Sequence, residues 1–275
     1  MNIKRIFLLL FAVCALTLCF TLAIGAATYR GECGANGDYL TWKLDTDTGE
    51  LTISGEGEMQ GNMVAPPPWF SYRSNIKKVT IDNGVTHIGS YAFCDHSSLT
   101  KVTIPDSVTS VGAGAFQYCS SLTKITLPDN VTEIDHWTFD GCESLAEITI
   151  PDSVTSIGYA AFYACTSLTE ITIPDTVMSI DDWAFYRCSS LEKITVLSKT
   201  AHIYDNTETI SDTATIYSHE GSTAEAYAKK YDRTFVVLNN QPKPDLRGDM
   251  NGDGALNYII CALLTLVGFA VIFAL

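Results

Sequence analysis

The sequence predicts a β-rich solenoid built from 23-residue units, with an N-terminal β cap and a C-terminal strand–helix–strand cap. The first observation behind this is a fixed period. Leu99, Leu122, Leu145, Leu168 and Leu191 share one phase, and Phe93, Phe116, Phe139, Phe162 and Phe185 share another. Val102, Ile125, Ile148, Ile171 and Ile194 hold a third phase. A repeat of this length is the mark of a solenoid or a related array. The second observation is the alternation inside each unit. In Leu168-Thr-Glu-Ile171-Thr-Ile173 the isoleucines point one way and Thr172 the other, as in a short strand. The third is that one unit has an apolar face and nothing of its own to cover it. Stacking the units joins those faces into a continuous core.

Taken in order, the chain opens with residues 1–27, read as a secretory signal. Lys4-Arg5 form a charged start, Ile6 to Ile24 is apolar, and Gly25-Ala26-Ala27 offers small residues for cleavage. An uncleaved membrane anchor is the alternative, since the run is long enough to span. Residues 28–74 lie outside the repeat and read as the β cap. Tyr39–Leu44 and Leu51–Ile53 are strand-like and are joined by a turn-rich "DTDTGE". A glycine-rich bend, "SGEGEMQGN", and the loop Pro66–Trp69 follow. Trp69 and Phe70 are expected to pack over the first unit.

Residues 75–198 hold the repeats. Each strand is stopped by proline at 105, 128, 151 and 174, which has no amide to give a ladder. A second inward pair follows, such as Val177 and Ile180, and the Phe fills the interior. From 199 to 238 the repeat degenerates and the array closes. Ser222 and Glu225 have the spacing of a helix N-cap and its partner three residues on, and Thr234–Leu238 is the last strand. Residues 239–248 form a proline-containing linker.

These units resemble the BspA-like leucine-rich repeats of bacterial surface proteins. The resemblance is carried by the "IP" steps (Ile104-Pro105, Leu127-Pro128, Ile150-Pro151, Ile173-Pro174), the "AF" steps (Ala92-Phe93, Ala115-Phe116, Ala161-Phe162, Ala184-Phe185) and the "C-x-S-L" joints at Cys119, Cys142, Cys165 and Cys188. The segment from Gly34 to Met59 is similar to the piece that precedes such arrays. The resemblance implies a leucine-rich-repeat fold on the cell surface or outside the cell. It implies adhesion to extracellular protein or to polysaccharide, and it names no reaction.

Residues 249–260 carry a second pattern. Asp249, Asn251 and Asp253 place oxygens at positions 1, 3 and 5 of a calcium loop. Gly254 permits the turn, Ala255 offers a carbonyl, and Asn257 stands at position 9. This resembles the first half of a dockerin, the module that plugs secreted proteins into cohesin scaffolds. Position 12 is Ile260 rather than a carboxylate, so weak Ca2+ binding is the expectation, and cohesin is a candidate partner. Residues 258–275 are almost wholly apolar. Eighteen residues at about 1.5 Å each reach about 27 Å, enough for a membrane anchor. A disrupted reading frame through a dockerin is the other reading of this tail.

The formal net charge of −14 argues against nucleic acid as a partner, which requires basic patches. The four in-phase cysteines read as small buried plugs; a metal or disulfide ladder is the alternative. No histidine sits in a nucleophile or metal motif, so the chain is read as non-catalytic. Two surfaces are the candidates for binding. Thr103, Thr126, Thr149, Thr172 and Thr195 recur between inward residues and should form an outward ladder with steps of about 4.8 Å. Trp137 and Trp183 share a phase two residues before the Phe, together with Tyr91. Strand propensity alone would account for the threonines, and partial burial would account for the aromatics.

Overall fold

A computed structural model of the chain describes residues 27–61 and 65–238. The expected signal at 1–27 (apart from residue 27), the linker at 239–248, the calcium loop at 249–260 and the tail at 258–275 lie outside the described residues.

The cap is a three-stranded antiparallel sheet: β1 (Thr28–Glu32), β2 (Tyr39–Asp45) and β3 (Glu50–Glu58), with β2 central. The expected glycine bend is absent. The strand runs on through Gly55 and Gly57, both at positive φ (122° and 112°). A Cβ on Gly55 would sit 2.0 Å from the Tyr39 carbonyl oxygen, so only glycine lets β3 pass so close to β2. This kinked strand begins both ladders of the solenoid. Leu51 and Ile53 pair with Val79 and Ile81, and Gly57 pairs with Val85.

Each unit then contributes a front strand and a back strand. In chain order these are β4 (Lys78–Ile81) and β5 (Val85–Ile88), β6 (Lys101–Thr103) and β7 (Ser110–Val111), β8 (Lys124–Thr126) and β9 (Glu133–Ile134), β10 (Glu147–Thr149) and β11 (Ser156–Ile157), β12 (Glu170–Ile173) and β13 (Ser179–Ile180), and β14 (Lys193–Val196) and β15 (His202–Ile203). All pairings along the stack are parallel, with like positions opposed, as in Ile125↔Ile148 and Ile157↔Ile180. The proline after each full front strand opens a turn to the back. Its carbonyl accepts from the valine three residues on, at 3.0–3.2 Å for Pro105, Pro128, Pro151 and Pro174.

The Phe turn makes the third side. Phe93 N–H donates to Ala115 O, Phe116 to Thr138, Phe139 to Ala161 and Phe162 to Ala184, at 2.8–3.0 Å. The rings form one column inside, with centroids 5.3–5.8 Å apart and planes within 18° of parallel. Trp69 extends the column into the cap, and Phe70 is half-buried beneath Arg73. Cys119, Cys142, Cys165 and Cys188 are buried in phase. Each thiol donates to the carbonyl of the Phe 26 residues earlier, at 3.0–3.2 Å. They are therefore plugs with a weak hydrogen bond, and all four are free thiols, as are Cys33 and Cys94.

The array ends with β16 (Thr215–Ser218), α1 (Thr223–Lys230) and β17 (Phe235–Val237). Ser222 Oγ accepts from Glu225 N at 3.1 Å. The Glu225 carboxylate reaches back to Gly221 N–H, one residue before the cap. Ala224, Tyr227 and Ala228 of α1 cover the end of the core.

Candidate functional site

Outward residues of the front strands form two columns. One is Lys78, Lys101, Lys124, Glu147, Glu170 and Lys193; the other is threonine. Thr103, Thr126, Thr149 and Thr172 are exposed along it. Thr195 departs from the outward expectation, with 7% of its surface accessible. Its Cα partner in the next strand is Tyr217 rather than threonine.

In the second half of the array these columns line a trough of about 750 Å³, which includes Thr149, Thr172, Glu147, Glu170, Asp152 and Lys193. Lys124 pairs with Glu147 at 2.8 Å, and Lys193 pairs with Glu170 at 3.6 Å. Both pairs are solvated, so they add little stability and leave their charges open to a partner. Nearer the cap, the Lys78 ammonium and then the Thr80 hydroxyl hold the Glu50 carboxyl below its usual range.

The back face carries a smaller trough of about 340 Å³ lined by residues that include Glu133, Asp135, His136, Ser156, Ser179, Asp181 and His202. The aromatic ridge stands beside it. Two residues in each unit have left-handed backbone, one two positions before the Phe and one two positions after. The first series is Tyr91, Gly114, Trp137, Ala160 and Trp183; the second is Asp95, Tyr118, Gly141, Ala164 and Arg187. Bulky side chains seldom adopt this conformation, and it costs about 1–3 kcal/mol per residue. The rings explain the small residues between them. A Cβ on Gly141 would meet Tyr118 Cδ1 at 2.3 Å.

Trp137 and Trp183, expected on one surface from their shared phase, are joined through Tyr159. Trp137–Tyr159 and Tyr159–Trp183 are both 5.6 Å between ring centroids. Tyr163 and Tyr186 each lie 6.0 Å from Trp183. Tyr159 was not legible as a site residue, because its phase holds His136 and Asp182 in the neighbouring units and no other aromatic. The tryptophans are half-buried and Tyr118 is 48% exposed. Burial, then the Asp182 carboxylate, raises the Tyr159 phenol above its ordinary range. A hydrogen bond with Glu208, then burial, does the same for Tyr186. Both phenols are therefore uncharged at neutral pH.

Among the described residues, no group of three or more His, Cys, Asp or Glu side chains is placed to hold a metal ion. Asp249, Asn251, Asp253 and Asn257 lie outside those residues.

A core fixed by stacked rings, with a regular outer wall on each side, is the geometry of a leucine-rich-repeat solenoid. The chain belongs to the BspA type leucine rich repeat family, whose repeat region matches in six copies over residues 66–192 and 141–221. Among solved structures, the chain is similar to a leucine-rich repeat protein from Eubacterium ventriosum, at 31% identity and a TM-score of 0.50, covering 62% of this chain and 44% of that one. It is similar to a leucine rich cell surface protein from Faecalibacterium prausnitzii, at 31% identity, 70% and 55% coverage and a TM-score of 0.49. A T. pallidum leucine rich repeat protein matches at 22% identity, 75% and 98% coverage and a TM-score of 0.45. The chain thus spans about half the length of the first two proteins. No curated protein matches it.

Proposed function

We propose that the chain is an exported, non-catalytic binding protein of the cell surface, and that its front trough is the contact for an extracellular protein. The observation that supports this most is the exposed run Thr103, Thr126, Thr149 and Thr172 beside a column of lysines and glutamates, with Thr126 and Thr149 opposed in register on paired strands. Such a wall is preorganised, so it orders little on binding, and preorganisation favours affinity. Family membership supports a surface role.

The test is biolayer interferometry of the full chain against purified extracellular-matrix proteins. The comparison variants are Thr149→Lys and Glu170→Lys, both on exposed strand positions where the fold tolerates charge. Saturable binding by at least one matrix protein, weakened tenfold or more by either variant, is the expected result. Absence of binding, or binding indifferent to both substitutions, would overturn the trough as the contact.

A further inference from the structure

We propose that Asn36 is a site of spontaneous covalent modification in the native protein. The Gly37 amide nitrogen attacks the Asn36 side-chain carbonyl carbon and converts the residue to aspartate and isoaspartate, while Asn83, in the same dipeptide, is held back by the fold. The site lies in the cap, and its chemistry is independent of binding in the front trough.

The reaction needs only water. The bond from the glycine nitrogen to the asparagine Cγ forms as that nitrogen gives its proton to solvent. The bond from Cγ to the side-chain nitrogen breaks, and ammonia leaves. Water then opens the five-membered imide at one carbonyl to give aspartate, or at the other to give isoaspartate. Glycine favours the attack because it places no Cβ beside the nitrogen and leaves the backbone free to turn.

The sequence holds three Asn-Gly steps, at 36, 83 and 251. The first two are among the described residues, and both asparagines are exposed. Exposure therefore does not separate them, but their glycines do. Asn36 and Gly37, at φ 51° and 92°, are the two central residues of the tight turn from β1 to β2. One bond closes the turn, from Asp38 N–H to the Ala35 carbonyl oxygen at 2.8 Å. A Cβ on Gly37 would meet nothing within 4 Å, and the Gly37 N–H donates to no group among the described residues. Gly84 is clamped instead. Its N–H donates to Ser107 Oγ at 3.2 Å, and its carbonyl accepts from Gly57 N–H at 3.0 Å. A Cβ there would sit 2.5 Å from the Gly55 carbonyl oxygen. Attack requires the Asn-Gly peptide to swing its nitrogen onto the side-chain carbon. Such opening costs little at an exposed turn tip and much inside a hydrogen-bonded ladder.

The product alters the cap. Isoaspartate lengthens the main chain by one methylene, and hairpin register is fixed by loop length. Either product also places a carboxylate two residues from Asp38, whose own carboxylate accepts from Glu58 N–H at 2.7 Å.

The test incubates the full chain at pH 8 and 37 °C, in native buffer and in urea. Peptide mass mapping follows the exchange of amide for carboxylate at each asparagine, and methylation by an isoaspartyl methyltransferase scores isoaspartate. Asn36 should convert at least fivefold faster than Asn83 in native buffer, and the two should agree within twofold in urea. Ser107→Ala removes the acceptor for Gly84 N–H. It should raise native conversion of Asn83 at least threefold and leave that of Asn36 within twofold. Equal native rates, a faster Asn83, or an Asn36 that stays intact while the urea sample converts would overturn the proposal. So would an Asn83 indifferent to Ser107→Ala.

Discussion

Trp69 Nε1 donates to the carbonyl oxygen of Ala92 at 2.9 Å, 23 residues further along the chain, while the Trp69 ring stacks on Phe93 with centroids 5.8 Å apart. The cap therefore enters the core by continuing the phenylalanine column, and it satisfies a carbonyl at the start of the array. Trp69→Ala should cost about 3–5 kcal/mol, the range for truncating a fully buried aromatic. Trp69→Phe keeps the stack and should cost about 1–2 kcal/mol through the lost hydrogen bond. Urea denaturation read by circular dichroism checks both. Because repeat arrays unfold in segments, Trp69→Ala should also lower the m-value or split the transition, as the cap releases before the remainder.

Tyr91 and Gly114 form a second matched pair. The Tyr91 ring lies where a Gly114 side chain would go, 2.4 Å from its ideal Cβ, and Gly114 has φ 60°. Gly114→Ala should destabilise by about 2–3 kcal/mol, combining left-handed strain with the clash. In a Tyr91→Ala background the same substitution should cost only the strain, about 1–2 kcal/mol. A double-mutant cycle measures the difference. Additivity of the two changes would show that the ring does not explain the glycine.

The period made the core legible. Every Phe and Leu phase named from spacing is buried, because side chains that stack on their own copies must recur at a fixed interval. The exceptions arise where one residue does two jobs or has an atypical neighbour. β3 serves both the hairpin and the two ladders, so its glycines mark tight contact rather than a stop. β1, Thr28–Glu32, alternates no apolar residues and gave no strand signal. Thr195 has the right phase and the wrong neighbour, Tyr217. The left-handed tryptophans were invisible because propensity assigns glycine to that conformation, and only Gly114 and Gly141 hinted at it. The aromatic ridge was half legible: Trp137 and Trp183 share a phase, but Tyr159 connects them from another.

The buried thiols should be inert. Burial raises the Cys188 thiol to about 12 and pushes Cys119, Cys142 and Cys165 upward as well. The thiolate is the reactive form, so iodoacetamide at pH 8 should leave these four unlabelled in the native protein and label them in urea. Site-resolved mass spectrometry reads each one. Fast labelling of any of the four in native buffer would contradict the packing.

The calcium-loop pattern read in the sequence at 249–260 is expected to bind weakly, because Ile260 occupies the place of the bidentate carboxylate. Isothermal titration of the full chain should show no saturation below about 1 mM calcium, the weak end for such loops. Ile260→Glu should tighten binding at least tenfold if Asp249, Asn251, Asp253 and Asn257 form the rest of the shell. Saturation at micromolar calcium in the wild type would refute the expectation.

His96 should make the protein acid-sensitive. It occupies the phase held by cysteine in the next four units and is fully buried. Its Nδ1 lies 2.9 Å from the Cys94 carbonyl oxygen, and Nε2 has no hydrogen-bond partner. Burial, the largest influence, drives its pKa from 6.5 down to about 4. The unfolded chain then binds more protons than the folded one between those values, so stability rises with pH across this window. The full contribution is present above pH 6.5 and is lost as pH falls toward 4, to a total of up to about 3 kcal/mol. Asp140, raised by burial, has the opposite sign: it favours folding where the folded chain keeps its proton. His96→Cys restores the repeat's own residue and removes the histidine contribution alone. Denaturation midpoints at pH 5 and pH 7.5 should differ clearly in wild type and by less in the variant, with the variant the more stable at pH 5. Equal slopes in the two proteins would assign the acid sensitivity to another group.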